Sequence, residues 1–277
     1  MQELVQFLRD RATDGLLPLS AQAEAAGRFG LTVGRVEEIA LADGILPARY
    51  QRNRDMISLP QQLALFRSRV AVIGCGGLGG YIIEELARLG IGGIVAVDPD
   101  VFQEHNLNRQ LYSTPDQLGR KKVEAAASRV AAVNPAVTFR PVAEAFAEEN
   151  GEELLRGVDV AADALDSIPA RLLLAEMCDR RGIPMVHGAI GGWYGHLATQ
   201  FPGDGTLQRL YPRNRKLPGI EVSQGTPSFT PAVVAGIEVA EVVKILLHIG
   251  EPLRNRCLTI DLFHLEIDEI LLREDQT

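Results

Sequence analysis

A short run of glycines decides most of what this chain can fold into. Gly74-Cys75-Gly76-Gly77-Leu78-Gly79-Gly80 follows an apolar, β-branched run, residues 69–73, and opens a helical pattern that lasts to about residue 89. At such a junction glycines let the backbone turn tightly. They also bring main-chain N–H groups at a helix N-terminus against a phosphate. A second strand, 94–98, ends on Asp98, 24 residues after Gly74, where a carboxylate accepts hydrogen bonds from ribose hydroxyls. Strand, loop, helix and strand together predict a Rossmann-like nucleotide-binding unit. They leave NAD and ATP both open.

The remainder alternates in the same way. Helices are expected at 121–133, 148–155, 170–181 and 231–248, and strands at 137–141, 158–164, 184–187 and 196–201. Two closely spaced late strands, 257–262 and 265–270, suggest an antiparallel edge. The expected architecture is α/β, a doubly wound mixed sheet. A helix-rich leader precedes it, so the expected division is residues 1–55 as a helical module and 56–277 as the nucleotide-binding domain. Residues 26–32 have the rhythm of a helix-turn-helix. Acids and bases are nearly balanced over the leader, however, and a DNA reader should be clearly basic. A small docking module is the preferred reading.

The residues downstream of Asp98 and Asp100 separate the two nucleotides. Asn106-Leu107-Asn108-Arg109-Gln110 and then Gly119-Arg120-Lys121-Lys122 place an amide and two cations beyond the glycine loop. Hydride transfer has no use for them. A site that polarises a triphosphate does: an amide orients a phosphate or ribose, and Arg109 and Lys122 supply positive charge.

With these motifs in order, the sequence resembles the ubiquitin-activating-enzyme-like adenylyltransferases of the ThiF/MoeB/HesA type. The resemblance rests on Arg49-Tyr50-Gln51-Arg52, the glycine loop (Gly74, Gly76, Gly77, Gly79), Asp98 with Asp100, Asn106 through Gln110, the Gly119 to Lys122 turn and Ala164-Leu165-Asp166-Ser167. It implies a homodimer in which Arg52 reaches the partner subunit's ATP. It further implies Asp98 at the ribose, Asn106, Arg109 and Lys122 around the phosphates, and Asp166 near a magnesium ion. The implied reaction joins ATP to the C-terminal carboxylate of a small ubiquitin-like carrier ending in Gly-Gly, releasing pyrophosphate. Arg171 is read as a structural ion-pair residue.

Two departures qualify the resemblance. Many relatives bind a structural zinc through two Cys-x-x-Cys pairs. Here residues 205–212 hold no cysteine and the second pair is absent, so no zinc is expected. Ser223 stands nearest the position where thiol-using relatives place a cysteine, and adenylation without thioester transfer is therefore expected. Cys75, Cys178 and Cys257 are read as packing residues.

Composition closes off other classes. A formal charge of −8 and 5% aromatic residues argue against a nucleic-acid partner, a tRNA-borne substrate included. No signal peptide is expected, and the longest uncharged stretch, 182–203, is broken by glycines, two prolines and two histidines. A cytoplasmic address is expected. Arg209, Arg213, Arg215 and Lys216 suggest a flap that attracts an acidic carrier. His187 and His196 are expected to be structural, and Trp193 is a candidate for the wall of a channel for the carrier tail. The rival readings are activation of a different carboxylate (small molecule, peptide or tRNA-borne), a non-catalytic nucleotide-binding scaffold, and an NAD-dependent oxidoreductase.

Overall fold

The computed structural model describes residues 1–211 and 225–272. Its centre is an eight-stranded sheet in which five strands run parallel: β5 (Thr138–Val142), β4 (Gly93–Val97), β3 (Arg69–Ile73), β6 (Val160–Asp163) and β7 (Met185–Gly191). Beyond β7 the sheet continues antiparallel through β8 (Tyr194–Gln200), β9 (Arg256–Asp261) and β10 (Glu266–Leu271). The mixed sheet with an antiparallel edge is thus the observed fold. The β7/β8 hairpin is longer than its two expected strands, because pairing continues to Gly191 and Tyr194.

Alternation along the strands builds two cores. Val70, Val72, Ile94, Ala96, Val160 and Ala162 face one side, under α5 (Gly77–Leu89), α6 (Lys122–Val133) and α10 (Phe229–Leu247). Ala71, Ile73, Val95, Val97 and Ala161 face the other, under α7 (Glu148–Leu154) and α8 (Ile168–Arg181). A period of two, with both faces covered, is what a parallel sheet requires. Each fully buried Val or Ile contributes about 1.5–3 kcal/mol relative to exposure.

The leader comprises α1 (Gln2–Arg11), β1 (Leu16–Leu17), α2 (Leu19–Phe29), α3 (Val33–Ala42) and β2 (Leu46–Pro47). Helix α3 is capped at its start: Thr32 Oγ1 accepts the N–H of Arg35 at 3.1 Å. Leu8, Leu17, Ala25, Val36 and Ala40 form the leader's own core. Residues 59–67, to which periodicity assigned no element, form α4 (Leu59–Arg67), started by a reciprocal Ser58–Gln61 capping box. A short α9 (Thr206–Leu210) is likewise additional. Leu41, Leu46 and Tyr50 pack with Leu59, Leu63 and Phe66, so a small core spans both sides of residue 55.

Candidate nucleotide site

The glycine loop leaves β3 between β4 on one side and β6 on the other. Open α/β sheets bind ligands at such a switch point, outside the carboxyl ends of the strands. Gly74 has φ +100°, and a Cβ there would strike the carbonyl of Ala164. A Cβ on Gly79 would strike the carbonyl of Gly74. On the open side a Cβ on Gly76 would lie 3.3 Å from Gln110 Nε2, and one on Gly77 would touch Pro231 first, at 3.6 Å, and the stem of Arg109 at 4.0 Å. Gln110 is buried, and its amide oxygen has no hydrogen-bond partner. An orphaned buried acceptor beside a strand-to-helix glycine turn marks this side as the place for a ligand.

Asp98, also buried, ties the loop to the end of β4. One carboxylate oxygen accepts the N–H of Cys75 and the other that of Asp100, each at 2.8 Å. Lys122 opens α6 with its Nζ 2.8 Å from Asp100 and 3.8 Å from Asp98. Asn106 turns inward: its Oδ1 accepts the N–H of Gln103 at 2.9 Å, which shapes the turn that carries Arg109. Arg109 donates to the carbonyl of His105 and to Asn108 Oδ1, both neutral, so its charge is uncompensated by any described carboxylate. Arg52 is exposed, and among the described residues nothing pairs with it.

Asp166 is exposed on the turn between β6 and α8, two residues beyond the Ala164 that abuts Gly74. The turn is held from behind. Asp163, fully buried, accepts the N–H of Leu165 at 3.0 Å, while Arg171 donates twice to the carbonyl of Leu165, at 2.6 and 3.1 Å. Arg171 also lies 3.9 Å from Asp163, so its structural reading agrees with the geometry. His187 Nδ1 sits 2.6 Å from Asp163, and the Tyr211 hydroxyl lies within 3.0 Å of His187, His196 and Arg171. Burial pushes the His187 imidazole below its ordinary range, against the pull of Asp163. Burial, with His187 and Arg171 beside it, pushes His196 down to about 3. Both rings are neutral at physiological pH.

Sequence reasoning missed Asp163, Tyr211 and Glu238. Glu238 is fully buried on α10, neither oxygen has a partner, and one of them fills the space a Cβ on Gly188 would need. Burial, then the charge of Asp163, raises its carboxyl well above the usual range. The available signal was an acid inside an otherwise apolar helix pattern opposite a strand glycine.

Burial raises all three thiols, Cys257 to about 11, so none is a nucleophilic thiolate at neutral pH. Trp193 is exposed and packs on Phe229 and Phe263, with ring centroids 4.5 and 5.5 Å away. Arg213, Arg215, Lys216 and Ser223 lie outside the described residues. Arg209 instead braces the chain, donating to the Asp204 carbonyl and to Asn255. No described helix is long and apolar enough to cross a membrane. Among the described residues no three His, Cys, Asp or Glu side chains converge as a metal cluster. Magnesium held by one carboxylate and substrate phosphates needs no such cluster, and Asp166 fits that requirement.

Fold and site together define a nucleotide-binding α/β protein whose glycine loop, acidic strand end and flanking cations suit a polyphosphate. The ThiF family model matches residues 50–277, and the chain belongs to that family, as an ATP-using adenylyltransferase of the E1-like kind. It is 36% identical over 230 residues to the SAMP-activating enzyme E1 of Haloferax volcanii, covering 81% of this chain and 85% of that protein. It is 33% identical over 237 residues to the sulfur carrier protein adenylyltransferase of Thermus thermophilus, covering 80% and 87%. Of several other curated relatives the chain spans about half the length. Among solved structures PaaA superposes with a TM-score of 0.69 at 22% identity, over 81% of this chain and 82% of that one, a likeness of fold.

Proposed function

We propose that this protein adenylates the C-terminal Gly-Gly carboxylate of a ubiquitin-like sulfur carrier, acting as a cytoplasmic homodimer in molybdenum or tungsten cofactor, thiazole or related sulfur transfer. The observation that carries the reading is the family match from residue 50 onward, which takes in the glycine loop, Lys122 and Asp166. Two similar proteins are named for activating SAMP or a sulfur carrier protein, which supports a carrier as substrate.

The chemistry asks little of acid–base catalysis. A C-terminal carboxylate has a pKa of about 3.5 and is already the nucleophile at neutral pH. Its oxygen bonds to the α-phosphorus as the bond from that phosphorus to the bridging oxygen breaks, and pyrophosphate leaves with the electron pair. The protein's work is alignment and charge neutralisation. Gly76 and Gly77 admit the phosphates to main-chain N–H groups, while Asp98 holds the loop in place beside the ribose. Arg109 and Lys122 face the β- and γ-phosphates, with Asn106 and Gln110 lining the approach. Arg52 of the second copy adds charge at the transition state. A magnesium ion at Asp166 would supply further neutralisation of the departing pyrophosphate.

The test is carrier-dependent exchange of radiolabelled pyrophosphate into ATP. Exchange with a carrier ending in Gly-Gly, lost when the last two residues are removed, is the expected result. Exchange supported instead by a small carboxylic acid would overturn the choice of substrate. Thermal stabilisation by NAD and not by Mg-ATP would overturn the nucleotide assignment.

A further inference from the structure

The family match begins at residue 50, so the leader has no part in it. The structure nonetheless joins the leader to the root of the Arg52 segment through a buried polar circuit. Glu37 of α3 is 0% exposed. One of its carboxylate oxygens accepts the hydroxyl of Tyr50 at 2.7 Å, and the other pairs with Arg49 at 2.5 Å. Asn134, at the end of α6, closes the circuit. Its amide nitrogen donates to the Tyr50 hydroxyl and to the carbonyl of Ala87, at 2.8 and 2.9 Å, and its oxygen accepts from Arg49 at 2.6 Å. Gln22 of α2 accepts a further bond from Arg49 at 3.2 Å.

Each partner has a place in the nucleotide-site frame. Ala87 belongs to α5, which starts on the glycine loop, and Asn134 ends the helix that starts with Lys122. The Tyr50 ring fills the space over Gly90, the left-handed cap of α5. Gly34 is seated so closely on the Ala136 carbonyl that a Cβ would stand 2.5 Å from it. Two residues after Tyr50 the chain presents Arg52, exposed, from a tight turn in which Asn53 N donates to the Tyr50 carbonyl at 2.8 Å.

We propose that Glu37 is a positioning residue for adenylation: through Arg49 and Tyr50 it fixes the root of the segment that presents Arg52, so that the leader sets Arg52's reach toward the nucleotide of a second copy of this chain. This inference rests on the proposed homodimeric, trans-acting Arg52. Leader and body also share an apolar joint, Leu41 and Leu46 with Leu59, Leu63 and Phe66, to which Glu37 does not belong. Removing the carboxylate should therefore loosen Arg49 and Tyr50 while leaving the leader docked.

Mixed dimers test it. One protomer carries Lys122→Ala and its partner Arg52→Ala, with distinct tags for purification. The one intact site then belongs to the Arg52→Ala protomer and takes its Arg52 from the Lys122→Ala protomer, so about half the wild-type exchange is expected. Adding Glu37→Ala to the Lys122→Ala protomer, the donor of Arg52, should lower kcat at least tenfold with the KM for ATP unchanged. The same change in the Arg52→Ala protomer should leave exchange within twofold. Equal losses in both placements would make Glu37 a general structural residue, and no loss in either would make it idle; each overturns the inference. If Glu37→Ala does not fold, Glu37→Gln, which keeps the volume and loses the charge, is read in the same two placements. An inactive parent mixed dimer would overturn the trans-acting Arg52 itself, and the inference with it.

Discussion

Lys122 and Asp100 form an unequal ion pair: the ammonium lies 2.8 Å from the carboxylate, yet the lysine side chain is 9% exposed and the aspartate 64%. The cation is fixed by the fold, whereas its partner stands in water and can be displaced by a phosphate. A second acid, Asp98, lies 3.8 Å from the same ammonium. Lys122→Ala should therefore lower pyrophosphate exchange by about 10²–10³-fold, the usual loss for one preorganised charge-stabilising donor. The far-UV circular dichroism should be unchanged. Exchange within threefold of wild type would remove Lys122 from the phosphate site.

Gly15 in the leader and Gly74 in the glycine loop separate backbone strain from steric clash. Gly15 and Gly74 both have positive φ, +73° and +100°, but only at Gly74 would a Cβ meet another group, the carbonyl of Ala164. Gly15→Ala should cost about 1 kcal/mol in urea unfolding. Gly74→Ala should cost more and should also abolish the thermal shift with Mg-ATP. Equal costs would mean that the β6 end yields freely to the added methyl.

Glu238 gives the stability curve one slope. Its folded pKa is raised above the unfolded value of about 4.3. Its contribution is therefore fully present below that pH and is lost as pH rises toward the folded pKa. Wild type should lose stability relative to Glu238→Gln by up to about 1.4 kcal/mol per pH unit in that window. Urea midpoints of the two proteins from pH 4 to pH 8 measure it, and parallel curves would count against a raised pKa.

His196 gives the opposite slope. Its folded pKa of about 3 lies below the unfolded value of about 6.5, so its contribution is present above pH 6.5 and is lost as the pH falls toward 3. His187, depressed by burial, acts in the same sense. His196→Gln should reduce the acid-side slope by up to about 1.4 kcal/mol per pH unit. Thermal melts between pH 4 and pH 7 would show it, and an unchanged slope would place the acid sensitivity elsewhere.

Much of the fold was legible because its signals are local. The apolar runs at β3 and β4, the glycine junction before α5, the Thr32 start of α3 and the paired late strands all announce themselves within a few residues. Helix α4 went unread although its Ser58–Gln61 capping box was in plain view, because its apolar face is short. In the site, residue types and spacing named Asp98, Arg109 and Lys122. Their states were not legible: Asp98 is occupied with the N–H groups of Cys75 and Asp100, and Asn106 is spent on the Gln103 cap.

The sequence by itself determined the class of fold, the family and the residues gathered at the loop, since glycine placement, strand alternation and motif order are properties of neighbours in the chain. Only the tertiary structure decided how Asp163, His187, His196, Tyr211 and Arg171 brace the Asp166 turn, and how Tyr50 joins Glu37 to Asn134. Those contacts join residues up to 84 positions apart, as between Tyr50 and Asn134. Burial then sets their protonation and energy, and burial exists only once the sheet, its helices and the leader have closed around them.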